Sequence, residues 1–130
     1  MPLQLLALAF AGAMGTLARY GLTVAVDSRL LHDGKHPIYG TLLSNALGCL
    51  LFGIVLAYLT ARAMDDQPIR LILLTGFMGA FTTFSTYAYL SSDLMQKQQW
   101  VLAGGHILAH NVVGIVLFIA GAALGTKLVA

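Results

Sequence analysis

The sequence predicts an all-α membrane protein. Four transmembrane helices form one domain over residues 1–130, the third helix is expected to break near its middle, and two copies to insert as an antiparallel, dual-topology dimer. Three observations carry this expectation. The chain is 58% apolar and only 9% charged, where a soluble domain has roughly a quarter of its residues charged. Its charged residues leave uncharged runs at 1–18, 36–61, 71–92 and 98–126, each long enough or nearly so for a helix that needs about 20 residues to cross hydrocarbon. The loop cations divide evenly: Arg62, Arg70 and Lys127 on the side of both termini, Arg29, Lys35 and Lys97 on the other. Loop Lys and Arg normally set orientation, so a tie permits insertion both ways round. Pairing is favoured independently, because four short helices enclose little space for a polar route.

The first span is read as Leu3 to Val26, ending in a turn-rich segment whose breakers are Asp33-Gly34 and Pro37. The apolar stretch from Met1 to Gly15 imitates a secretory signal, with Ala9-Phe10-Ala11 as the cleavage pattern. No Lys or Arg precedes it and apolar sequence resumes after Arg19, so it is read as membrane span. The second span, Ile38 to Ala61, stops at Arg62 and a connection ending in Pro68. The third covers Ile69 to Leu90 and the fourth Trp100 to Leu124, with Ser91 to Gln99 as their link. Gly40, Ser44 and Gly48, and separately Gly121 and Gly125, recur at fourfold spacing, which marks close helix contacts in lipid. The lone Cys49 excludes an internal disulfide and is read as a small packing residue.

The connections are too short for a soluble domain, so the chemistry sits in the membrane or at its edges and no enzyme is expected. A formal charge of +2 without a basic block gives no footprint for nucleic acid. Polar side chains inside the spans are then the functional candidates. Arg19 is the only charge in a span; it stays protonated, and either holds structure, attracts an anion, or snorkels to the interface. No Asp or Glu is expected in the four spans, which removes the usual device of proton-coupled carriers. Asn45 offers both a donor and an acceptor, for a helix contact or an ion path. His106 and His110 lie one turn apart, as metal ligands would, but a closed zinc site needs more of them. Asn111 points elsewhere on that helix, toward a pore or a neighbouring helix.

Span three is the densest segment: Thr75-Gly-Phe-Met-Gly79-Ala-Phe81-Thr82-Thr83-Phe84-Ser85-Thr86-Tyr87. Two glycines followed by β-branched hydroxyl residues lower helix propensity at mid-membrane and favour a break. Broken helices free backbone groups that recur at transported-ion sites, and freed carbonyls are hard ligands for an alkali cation. A cation on a two-fold axis needs only two carbonyls per chain. Phe84 and Tyr87 share a helix face, either as ordinary packing or with their electropositive ring edges toward an anion. The hydroxyls of Thr83, Ser85 and Thr86 can also bond back to their own helix.

These residues resemble the Fluc (CrcB) family of fluoride channels along nearly the whole chain. Gly12-Ala-Met-Gly15-Thr-Leu-Ala-Arg19-Tyr20 resembles that family's Gly-rich turn with its membrane arginine, and Gly40-Thr41-Leu-Leu-Ser-Asn45-Ala-Leu-Gly48 its second-helix element. Thr75 to Thr86 resembles its most specific signature, and Asn111-Val-Val-Gly114 its fourth-helix motif. The resemblance implies passive export of cytoplasmic fluoride across a microbial plasma membrane, the inner membrane if Gram-negative, by a dual-topology dimer with a structural sodium ion at its centre. By position, Gly79 and Thr82 supply the sodium with backbone carbonyls from both subunits. Asn45, Phe84 and Tyr87 line the fluoride route, with Thr83, Ser85 and Asn111 as polar neighbours and Arg19 in a structural or electrostatic role.

Three positions depart from the family pattern. Tyr87 replaces a second pore phenylalanine, Leu90 stands where many members place a glutamate, and Ile115 where a serine commonly follows the fourth-helix glycine. Such departures leave an unlike paired chain open as the partner. A small multidrug-type proton-coupled antiporter shares the four spans and dual insertion, and a packing subunit of a larger complex shares the small-residue series. The missing membrane carboxylate opposes the first; the span-three break is unexplained by the second.

Overall fold

The computed structural model describes residues 1–30, 38–64 and 67–129. All regular structure among them is helical. Helix α1 is Pro2–Leu30 and α2 is Ile38–Ala61. The third span begins with a single turn, Pro68–Arg70, winds with π-type geometry over Leu71–Met78, and closes with Gly79–Phe81; residues 68–81 are here α3. After a break at Thr82 and Thr83 the same span resumes as α4, Phe84–Gln96, and α5 is Trp100–Lys127. Four stretches are long and apolar enough to cross a membrane: Pro2–Arg29, Ile38–Ala61, Pro68–Gln96 and Trp100–Lys127.

The second span matches its expected limits, while the others run further. Span three continues past Leu90 to Gln96 because Leu94, only 1% exposed, packs inside, and because the Ser91 hydroxyl donates to the Tyr87 carbonyl one turn back at 2.8 Å. Its last turn carries Asp93, whose carboxylate takes the Lys97 ammonium at 2.7 Å. Helix α1 continues through Asp27, whose Oδ1 accepts the Gly40 N–H at 2.9 Å. With Asp93 in Pro68–Gln96, two carboxylates therefore lie within the helical spans, against the expectation of none; the one in the first span is Asp27. It occupies the final turn and satisfies an otherwise unpaired donor at the start of α2. Pro37 and the Asp33-Gly34 pair lie outside the described residues.

Small residues govern the packing, as lipid-embedded helices require. The widest contact joins α2 and α5. A Cβ on Gly53 would overlap the Phe118 carbonyl oxygen, one on Gly121 the Leu50 carbonyl oxygen, and one on Gly125 that of Ile54. Ser44 is fully buried, Gly40 abuts the Thr23 backbone, and Gly48 abuts the Thr82 methyl. The segment Gly12 to Tyr20, read as a turn by resemblance, is uninterrupted helix; Gly15 serves instead to bring α1 onto the Phe77 carbonyl. Outward faces carry Leu3, Leu6, Phe10, Leu17, Leu108, Ile115 and Ile119, all exposed, as a lipid-facing surface should.

Candidate ion pathway

The break in span three is held open from another helix. Thr82 (φ −93°, ψ 158°) and Thr83 (φ −148°, ψ 115°) are extended. The Thr82 N–H and hydroxyl both reach the Met78 carbonyl, at 3.1 and 3.0 Å, so the ladder is intact to that point. At Thr83 it stops: the Thr83 N–H donates to Asn45 Oδ1 at 2.8 Å, and Asn45 Nδ2 donates to the Thr83 carbonyl at 3.1 Å. The carboxamide thus stands in for a neighbouring peptide. An unpaired backbone group in hydrocarbon is costly, so Asn45 is what makes the break tolerable.

The diverted bond has an electrostatic consequence. Since Thr83 spends its N–H on Asn45, the Gly79 carbonyl loses the donor that a continuous helix provides. The next carbonyl, Ala80, is taken by Arg19 Nε at 3.1 Å, which fixes the arginine as a tie between α1 and the end of α3. On the far side, Thr83 caps α4: its hydroxyl accepts the Thr86 N–H at 3.2 Å and meets the hydroxyls of Ser85 and Thr86 at 3.2 and 3.0 Å. Two half-helix ends therefore face each other, a negative C-terminal end on α3 and a positive N-terminal end on α4.

A cavity of about 420 Å³ opens beside the break between α2, α4 and α5. It brings together five of the expected pathway residues, Asn45, Thr83, Phe84, Tyr87 and Asn111, and Thr82 also lines it. Phe84 is 78% exposed, and its ring lies 5.3 Å from that of Tyr87, centroid to centroid. Ser85 stands one hydroxyl behind, joined through Thr83, and Gly79 lies outside the lining. No carboxylate is among the lining residues.

Sequence reasoning missed part of the wall: Phe52, Phe118 and His110 line it too. Nothing in their spacing separates the two phenylalanines from ordinary packing, which their mutual contact at 6.2 Å also is. The histidine pair was visible as a pair and is used otherwise than as a metal site. His110 Nδ1 donates to the His106 carbonyl at 3.0 Å, and His106 Nδ1 meets the Ser91 hydroxyl at 3.0 Å. Both rings lie against Tyr87, at 4.7 and 5.5 Å. Among the described residues no group of three or more His, Cys, Asp or Glu could hold a metal ion.

Residues 6–122 match the family described as CrcB-like protein, Camphor Resistance (CrcB). Similar proteins include three named "Fluoride-specific ion channel FluC". That of Nitrosococcus oceani is 44% identical over 88% of this chain and 89% of its own length. That of Chloroflexus aurantiacus is 38% identical over 94% of each, and that of Nitratidesulfovibrio vulgaris 45% identical over 88% and 90%. Four spans, a broken third helix and a largely apolar cavity with a few polar groups and no carboxylate in its wall thus coincide with similarity across almost the entire length, and the chain belongs to the CrcB family.

Proposed function

We infer that the chain is a subunit of a fluoride-selective channel that lets cytoplasmic fluoride leave passively across the plasma membrane. The observation that carries this is the cavity beside the break, which offers donors and ring edges to an anion and no carboxylate. Each of the Asn45 amide's two bonds to Thr83 uses a different atom, so Nδ2 keeps one N–H for a passing ion. The N-terminal end of α4 adds a partial positive charge beside Phe84. A small anion meets this set at short range, where Coulomb attraction is steepest. The name of the relatives supports the choice of fluoride.

The partner we propose is a second copy in the opposite orientation, supported by the even split of loop cations; an unlike paired chain is the other possible partner. A sodium ion at the centre of that dimer fits the donors present. The Gly79 carbonyl lacks its helical donor, and the Thr82 carbonyl belongs to the extended break. Both are hard oxygens at the negative end of α3, suited to an alkali cation. Two from each copy make four, and the ion would supply charge neutralisation that locks the two breaks together.

Asp27 and Asp93 restore carboxylates to two spans, but both are absent from the cavity wall and are engaged, with Gly40 and Lys97, so the proton-coupled antiporter gains nothing from them, nor from the relatives. Liposomes containing the purified dimer and loaded with fluoride should release it rapidly and electrogenically while chloride stays behind. An intact dimer that retains fluoride removes the homodimer reading; flux driven by a pH gradient with organic cations as cargo establishes the antiporter.

A further inference from the structure

The hydrogen bonds around Tyr87 settle where its phenolic proton is available. Asn111 Nδ2 donates to the Ile107 carbonyl at 2.8 Å, which fixes the orientation of that amide because a carbonyl only accepts. The same nitrogen lies 3.2 Å from Tyr87 Oη. An amide nitrogen has two protons and no acceptor capacity, so the second proton goes to Oη and the phenol is the acceptor there. The proton on Oη therefore points elsewhere, and among the described residues it meets no acceptor. Tyr87 lines the cavity that Asn45 and Phe84 also line.

The ring itself is held in place. Phe84 lies at 5.3 Å and the imidazoles of His110 and His106 at 4.7 and 5.5 Å. The histidines are tied down in turn. Ser91 gives its only hydroxyl proton to the Tyr87 carbonyl at 2.8 Å, so it accepts from His106 Nδ1, and His110 Nδ1 donates to the His106 carbonyl. The cradle thus reads α5 to α4 and back; the buried Nε2 atoms of His106 and His110 have no hydrogen-bond partner among the described residues, and the Tyr87 O–H is the group in it that has a proton to give to the cavity.

We propose that the Tyr87 hydroxyl is a direct anion ligand of the pathway, with Asn111 as the residue that turns its proton toward the ion. The proposal rests on the channel reading and deepens it. A hydroxyl donor strengthens most toward the smallest, most charge-dense anion, so the site binds fluoride more tightly and passes it more slowly than a bare ring edge would. Asn111, with both amide protons engaged, is a positioning residue.

The test is initial fluoride efflux from liposomes as a function of fluoride concentration, for wild type, Tyr87→Phe, Asn111→Ala and the double variant, each first shown to elute with the same oligomeric size. Tyr87→Phe should raise the half-saturating fluoride concentration about tenfold or more, the size expected for one hydrogen bond to a charged group, with maximal flux unchanged or higher. Asn111→Ala should shift the same constant in the same direction by a smaller factor, and the double variant should match Tyr87→Phe alone, since two residues acting through one group are not additive. A wild type that conducts while Tyr87→Phe stays within twofold overturns this proposal and leaves the channel reading standing. Independent, multiplicative effects of the two substitutions overturn the role of Asn111. A wild-type dimer that carries no fluoride removes the homodimer channel reading and overturns this proposal with it.

Discussion

At the scale of single residues, Asn45 does two jobs with one amide. It closes both hydrogen bonds of the Thr83 peptide at 2.8 and 3.1 Å, and it faces the cavity. Replacing it by Asp keeps the acceptor for the Thr83 N–H but removes the amide donor and sets a negative charge on the proposed route; at a few ångströms, repulsion of this order should slow fluoride efflux about a hundredfold or more. Unchanged flux would take Asn45 off the route. Replacing it by Leu leaves the Thr83 N–H and carbonyl unpaired, and should cost about 1–3 kcal/mol for each, visible as a lower melting temperature in detergent. The sequence announced Asn45 as a polar side chain two turns into an apolar span, but not its partner. Partnership across 38 residues is a matter of packing, and no local pattern encodes it.

Elements were legible where apolar length and small-residue spacing set them, and less so at their ends. The series Gly40, Ser44, Gly48 and the pair Gly121, Gly125 became contacts as expected. Gly121→Val should force α5 away from the Leu50 carbonyl, costing about 1–3 kcal/mol as other overpacked contacts do, with thermal stability as the measure. Gly53 was not singled out, since it falls off that fourfold series, yet it faces the Phe118 carbonyl just as closely. Helix ends were harder because α2 and the third span stop without glycine. Ala63 and Gln98 take left-handed backbone at φ 54° and 58°, and the N–H groups that follow bond back to Leu59 and Leu94 at 2.9 Å, the pattern of a Schellman end. Gln98→Gly relieves the side-chain cost of that conformation and should stabilise the protein by up to about 1 kcal/mol. The overrun of α1 had no sequence signal either, because Asp27 looks like a loop residue until Gly40 is beside it.

For the whole molecule, the governing feature is that charge barely distinguishes one face of the membrane from the other. In a Cys49→Ala background, Gln98→Cys should be labelled by an impermeant maleimide from each side of the membrane in about equal measure, as a chain with balanced loop cations requires; labelling from one side only would end the dual-topology proposal. Adding lysines at Gln98 and Gln99 should bias insertion to one orientation and lower fluoride efflux, with recovery when an oppositely biased chain is co-expressed. The four spans were readable from composition and charge positions. The ion was not: nothing in spacing or hydropathy distinguishes fluoride, and that choice draws on family similarity.

The clamp on Thr83 also bears on how the protein is made. The groups that hold span three open belong to α2, so a nascent third span, before it meets α2, has no partner for the Thr83 peptide within lipid. An uninterrupted helix is the cheaper state at that stage, and Pro68–Gln96 is long enough to insert as one. Opening of the break then follows helix assembly and cannot precede it. On this physical account the continuous form of span three precedes the broken one, and the Asn45 amide, by taking both bonds of the Thr83 peptide, is what separates them.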